Sequence, residues 1–282
     1  MRIKAVLVMM AAFGIGSAAD AQTVFSGSGS TTTQAVTDFR SATGALNPNV
    51  AGSFGTGRRE INWDGVPDAV AAPNNLPANF FNVNSPRGAV FSTPGTGFQV
   101  SASASNVFGA PVEFGNINPS YPQYFTAFSS QRLFTAIGSN IVDVTFFIPG
   151  TNTSAFVTGF GAVFSDIDLA GSTSLTFFGA NNLLLGTWDA PSITGNETLS
   201  FLGILFGDPI VSRVRITSGN AALGVFESSN IDLVVMDDFI FGEPTLAAAV
   251  PEPASWAMML LGFGAIGFSM RRKGRGTELQ TG

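Results

Sequence analysis

The apolar residues of this chain come in short runs, and that limits the fold more than any other feature. Gly88-Ala-Val-Phe91, Ile141-Val-Asp-Val-Thr-Phe-Phe-Ile148 and Ser174-Leu-Thr-Phe-Phe178 are four to eight residues long and lie among Gly, Pro and Asn. Runs of this length fit strands and are too short for amphipathic helices. The 33 Gly and 15 Pro supply the interruptions. Gly179-Ala-Asn-Asn182, between Ser174–Phe178 and Leu183–Trp188, is the strongest hairpin signal. Pro94-Gly95 predicts strand, turn, strand over 88–102, because Pro presets φ and Gly accepts positive φ. Ala155–Phe164, Thr198–Phe206, Val211–Thr217 and Ile231–Phe241 complete the set. Helical periodicity is nearly absent and no fixed-period repeat is seen. The expected fold is all-β, an antiparallel β-sandwich of jelly-roll-like form.

Alternation within Val211-Ser-Arg-Val-Arg-Ile-Thr217 places Val211, Arg213, Arg215 and Thr217 on one face and Ser212, Val214 and Ile216 on the other. Residues 45–245 are assigned to the sandwich. Residues 22–44, with Ser26-Gly-Ser-Gly-Ser30 and few apolar anchors, are expected to form a flexible lead-in. The Pro- and Asn-rich stretch 57–86 is irregular, the kind of long loop that is functional or packs across a sheet.

Composition removes whole classes of chemistry. With no His and no Cys there is no imidazole base, thiol nucleophile, Fe–S cluster, thiolate zinc site or disulfide. Residues 22–250 carry seven Arg, no Lys and sixteen Asp and Glu, a net charge of −9 that argues against nucleic acid as a partner.

The two ends are of a different kind. Residues 1–21 open with Arg2 and Lys4, continue in a short apolar run and close on Ala19-Asp-Ala21, the layout of a signal peptide cut after Ala21 by the export machinery. At the other end Pro251-Glu252-Pro253 precedes the seventeen apolar residues 254–270, which Arg271-Arg272-Lys273 and Arg275 follow. Such a segment spans a bilayer only marginally as a single hydrophobic helix. The basic cluster keeps residues 276–282 in the cytoplasm and puts the preceding domain outside. Gly262, Gly264 and Gly267 weaken the helix, which suits a segment that is recognised and cut.

This tail, residues 250–275, is similar to the PEP-CTERM sorting signal of Gram-negative bacteria, in the variant with Trp-Ala after the motif. Pro251, Glu252, Pro253, Trp256, Ala257, Gly262-Phe-Gly264, Arg271 and Arg272 carry the resemblance. It implies recognition by exosortase, a membrane-embedded sorting enzyme, in cells that export exopolysaccharide and build biofilm. The protein would then be anchored transiently in the inner membrane and delivered to the cell surface or beyond. A permanently anchored single-span protein is the alternative.

Candidate sites in the core are acidic or aromatic. Asp166 and Asp168 follow a strand, Asp237-Asp238 interrupts an apolar run, and Asp64 lies with Asp68 in the irregular loop. Carboxylates on strand ends and loops suit calcium, the one cofactor considered, although capping and ion pairing are the commoner uses. The core's strand texture and its Val-Met-Asp-Asp-Phe-Ile-Phe241 ending also resemble jelly-roll carbohydrate-binding modules. Trp63, Trp188, Tyr121 and Tyr124 are candidates for stacking on sugar rings, against the more usual fate of core packing. No paired Glu suggests a glycosidase, and no catalytic residue is assigned. The expected function is a structural or glycan-associated component of the extracellular matrix. A secreted glycan hydrolase and a surface adhesin are the alternatives, and the chain is expected not to be an enzyme.

Overall fold

The computed structural model describes residues 22–246, 259–264 and 266. Two antiparallel sheets face each other. Numbered in chain order, one contains β1 (Gln22–Ser28), β10 (Leu199–Phe206), β7 (Gly159–Ser165), β12 (Val235–Gly242), β5 (Phe134–Ile137) and β4 (Gly97–Val100) side by side, with β2 (Arg58–Ile61) also pairing with β12. The other runs β3 (Ala89–Ser92), β6 (Ile141–Phe146), β11 (Arg213–Thr217), β8 (Ser174–Phe178), β9 (Leu184–Asp189). The core between them is rich in Phe: Phe91, Phe98, Phe134, Phe146, Phe160, Phe177, Phe239 and Phe241 are all buried there.

Strand alternation holds in the smaller sheet. Val214 and Ile216 point into the core, while Arg213 and Arg215 stay on the outer face, where both bind Asp143 on the neighbouring β6. Val211 departs from the expected face; it is buried, bridging Val157 ahead of β11. The predicted hairpin forms as β8 and β9. Pro94-Gly95 does not make a hairpin. The strands on either side join different sheets, β3 pairing with β6 and β4 with β5, so the turn is a corner between the layers.

The larger sheet is covered on its outer face as well, which is why β7 and β12 are buried at every position. Part of that cover comes from residues 22–44, expected to be flexible. They form β1, which pairs with β10 along its whole length, and helix α1 (Thr32–Thr43). Thr32, Ala35, Val36, Phe39 and Thr43 are the buried positions of α1, a helical spacing that turns one face to the sheet. Phe39 packs there against Phe25 and Phe201 at centroid distances of 5.4 and 5.6 Å. Room for the rings comes from Gly161 and Gly203, cross-strand partners on β7 and β10. A Cβ on Gly203 would lie 2.8 Å from the Phe39 ring, and one on Gly161 would lie 2.7 Å from Phe201. The helix stops at Gly44, whose φ of 104° favours glycine.

The remaining cover is a second apolar cluster, Phe114, Tyr121, Phe125, Leu133, Leu233 and Val235. The stretch 57–86 contributes β2 and a short helix, α2 (Phe80–Val83), and sends Trp63, Val66, Leu76 and Phe81 into the main core. Residues 247–282 form a separate unit, in which 259–264 and 266 are helical. Among the described residues no helix is long and apolar enough to cross a membrane.

Candidate functional site

Asp237 and Asp238 occupy a β-bulge. Met236 pairs with Phe164 and Phe239 with Ala162, so two residues of β12 stand opposite Val163 alone. The extra residue lets Met236 and Phe239 both face the core with two carboxylates between them. Both carboxylates are held by the protein itself. Asp237 accepts from the N–H of Phe128 at 2.6 Å and of Ser129 at 3.2 Å. Asp238 accepts from Ser129 Oγ and from Arg40, each at 2.8 Å. Arg40 also grips Glu60, which takes a further bond from Arg58. Burial, and then the neighbouring Asp238, push Asp237 up to about 8. Burial opposes the ionisation of Glu60 too, but the bonds from Arg40 and Arg58 hold its carboxyl below the ordinary value.

A second acidic group lies where β7 ends. Asp166 directly follows β7 with φ at 75°, so the chain turns sharply there instead of continuing the strand alternation that would put Asp166 and Asp168 side by side. Asp168 accepts from the Gly195 N–H at 2.8 Å. Asp232 accepts from the N–H groups of Asp168 and Leu169 and from Ser172 Oγ. The Asp166 carboxylate is 0% exposed, and no donor among the described residues reaches either oxygen. Glu227, in the loop before β12, has its Oε2 equally unpartnered and lies within hydrogen-bonding reach of Asp166. Burial, followed by the charge of Glu227, pushes Asp166 up to about 9, and burial raises Glu227 as well.

A cleft of about 290 Å³ opens beside this pair, lined by Tyr124, Asp168, Thr194, Asn196, Glu227 and Ser228, with Leu169 and Ser229. Four segments build it, and two bonds lock two of them together: the Glu197 main-chain N–H donates to the Tyr124 carbonyl at 2.7 Å, and the Asn196 side-chain Nδ2 to that of Gln123 at 2.9 Å. Phe226, next to Glu227, is 71% exposed.

Of the aromatic candidates, only Tyr124 borders a cleft of this acidic kind. Trp63 is 1% exposed, stacked on Phe134 at 4.1 Å, and donates its indole N–H to the Asp237 carbonyl, so it is a core residue and no platform for a sugar. Tyr121 is likewise buried, its hydroxyl donating to the Val225 carbonyl at 2.8 Å. Trp188 packs on Phe177 and Phe206. Asp64 accepts from the N–H of Arg132 at 3.2 Å, and Asp68 pairs with the Arg132 guanidinium. Among the described residues, no three acidic side chains converge as a ready-made metal cluster. Glu227, Asp232 and Phe226 were not expected from the sequence, since a Phe-Glu-Ser-Ser-Asn loop has no distinctive spacing.

The sorting residues Pro251, Glu252, Pro253, Trp256, Arg271 and Arg272 and the cleavage residues Ala19 and Ala21 lie outside the described residues. No curated protein and no solved structure matches the chain significantly. Residues 249–273 match the family model of the PEP-CTERM protein-sorting motif. The motif begins seven residues after β12 ends at Gly242. It supports export with exosortase as the sorting partner. The chain carries, after its β-sandwich, the PEP-CTERM protein-sorting motif that exosortase recognises.

Proposed function

We propose that this protein is an exosortase-processed component of the cell surface or extracellular matrix whose sandwich associates with glycans. The observation that carries this reading is the sorting motif at 249–273, placed directly after the last strand. In this reading the signal peptide starts export, the C-terminal segment holds the chain briefly in the inner membrane, and exosortase releases it. A jelly-roll form of the sandwich is supported by the steps β3 to β4, β5 to β6, β6 to β7, β10 to β11 and β11 to β12, each of which changes sheet.

The cleft beside Glu227 supports the glycan role. It offers hydroxyls from Thr194, Ser228 and Ser229, the Asn196 amide and the Tyr124 ring. Neutral, hydroxyl-rich ligands suit such a lining, and polyanions are disfavoured by its two carboxylates. Only Glu227 and Asp168 of the acidic group line the cleft, and no catalytic role is assigned to them. A glycan array probed with the full chain, alongside Tyr124→Ala and Phe226→Ala, tests the reading. Binding to neutral exopolysaccharide that falls about tenfold in the variants supports it, and blank arrays for the parent chain reduce the role to a purely structural one.

A further inference from the structure

We propose that Asp166 and Glu227 form a site for one hard divalent cation of the calcium kind, with Asp168 nearby at the mouth of the cleft. The first observation is a contrast among buried carboxylates. Glu243 has Arg59, Asp143 has Arg213 and Arg215, Asp238 and Glu60 have Arg40, and Asp237 has two main-chain N–H donors. Asp166 alone of these has neither a cation nor a donor, although none of its surface is exposed. A buried carboxylate in that state is strongly disfavoured unless a proton or a positive ion joins it.

The second observation is what faces it. Glu227 brings another unpartnered oxygen, and Asp168 and Asp232 add to the negative field, so three further acidic groups surround Asp166, and among the described residues no Arg bonds to any of the four. Asp232 is spent on N–H and hydroxyl donors, and Asp168 keeps Oδ2 free of protein bonds. Calcium takes six to eight oxygens and accepts main-chain carbonyls, hydroxyls and water beside carboxylates. The buried Asp166 and the half-buried Glu227, beside a cleft lined by Ser228 and Ser229, therefore match its needs without a third converging acid. The cation would link the end of β7 to the loop that leads into β12, neighbours in the larger sheet.

The site does not depend on what the cleft takes up, and its test uses the metal alone. Full-length protein stripped with EDTA is titrated with CaCl₂ by calorimetry, and its Tm is followed with and without calcium at constant ionic strength. The expected result is one site, with a Kd of about 10⁻⁴ to 10⁻³ M as in other extracellular modules, and a higher Tm. Glu227→Gln should weaken binding about tenfold or more and Asp166→Asn should abolish it, while Asp208→Asn, at an exposed carboxylate, leaves it unchanged. Should Asp166→Asn fail to fold, Glu227→Gln decides. The proposal is overturned if the parent protein shows no heat and no Tm change with calcium. It is equally overturned if both variants keep the parent affinity, or if Asp166→Asn raises the Tm of a chain that ignores calcium, which would assign the pair a shared proton instead.

Discussion

Arg59 and Glu243 form a two-pronged ion pair sealed inside the protein. Nε to Oε2 is 2.6 Å, Nη2 to Oε1 is 2.9 Å, and the two side chains are 0% and 1% exposed. The remaining donors of Arg59 reach the carbonyls of Val50, Gly52 and Pro86, while Glu243 also accepts from Asn47 and the Phe54 N–H. The pair thereby ties the 47–54 loop to the end of β12. Glu243→Ala strands a buried guanidinium and should cost about 3–5 kcal/mol in urea unfolding. The double change Arg59→Met, Glu243→Leu should recover most of that loss, because it leaves no charge behind. A double variant as unstable as the single one would show that loop anchoring, not the stranded charge, dominates.

The Trp63 ring lies flat on Phe134, with their planes 2° apart, and meets Phe81 and Phe239 edge-on. Trp63→Ala should lower stability by about 3–5 kcal/mol, the usual cost of emptying a large aromatic site. Glycan binding by the molecules that remain folded should be unchanged. Selective loss of binding at full stability would return Trp63 to the surface.

Gly203 separates α1 from the sheet by the thickness of one ring. Gly203→Ala drives a methyl into the Phe39 and Phe201 rings, both fully buried, and should destabilise by about 1–3 kcal/mol. Hydrogen exchange should show the loss first in α1 and β1. Unchanged exchange in both elements would mean that the helix docks independently of that contact.

Asp237 gives the pH dependence a definite sign. Its carboxyl, ordinarily near 3.8, titrates at about 8 in the folded chain, facing Asp238 with Arg40 and Glu60 beyond it. Between those values the folded state holds a proton that the unfolded state has lost, so this group's contribution is complete below about 4 and is lost as pH rises through 8. Glu60 and Asp68, both lowered, act in the opposite sense and lose their contributions as pH falls through their folded values. Stability should therefore peak on the acid side of neutrality. A Tm series from about pH 4 to 9 should be flatter for Asp237→Asn than for the parent. Identical slopes would place the proton elsewhere.

The strands from Ile141 to Phe241 were legible because each buried run is short and bounded, and the β8–β9 hairpin has its turn residues in place. β1 and α1 were not. β1 is an edge strand whose residues are mostly exposed, and α1 has few apolar anchors in a segment rich in Ser, Thr and Gly, so its helical face emerges only against the glycine pair. The bulge at Asp237-Asp238 was visible as an interrupted apolar run, yet its use, capping the Phe128–Ser129 turn and pairing with Arg40, depends on segments remote in sequence. The same holds for Asp166 and Glu227. They meet only because β7 and β12 are neighbours in the sheet, a relation set by topology and not by spacing.

Exosortase sorting is tested most directly by mass spectrometry of the mature protein recovered from outside the cells of an exosortase-positive strain. The expected product starts at Gln22 and lacks the apolar and basic residues that follow Pro253. The full tail, residues 254–282, should persist only when exosortase is deleted or Pro251-Glu252-Pro253 is replaced by alanines. Mature protein that still carries residues 254–282 in the presence of active exosortase would contradict the account.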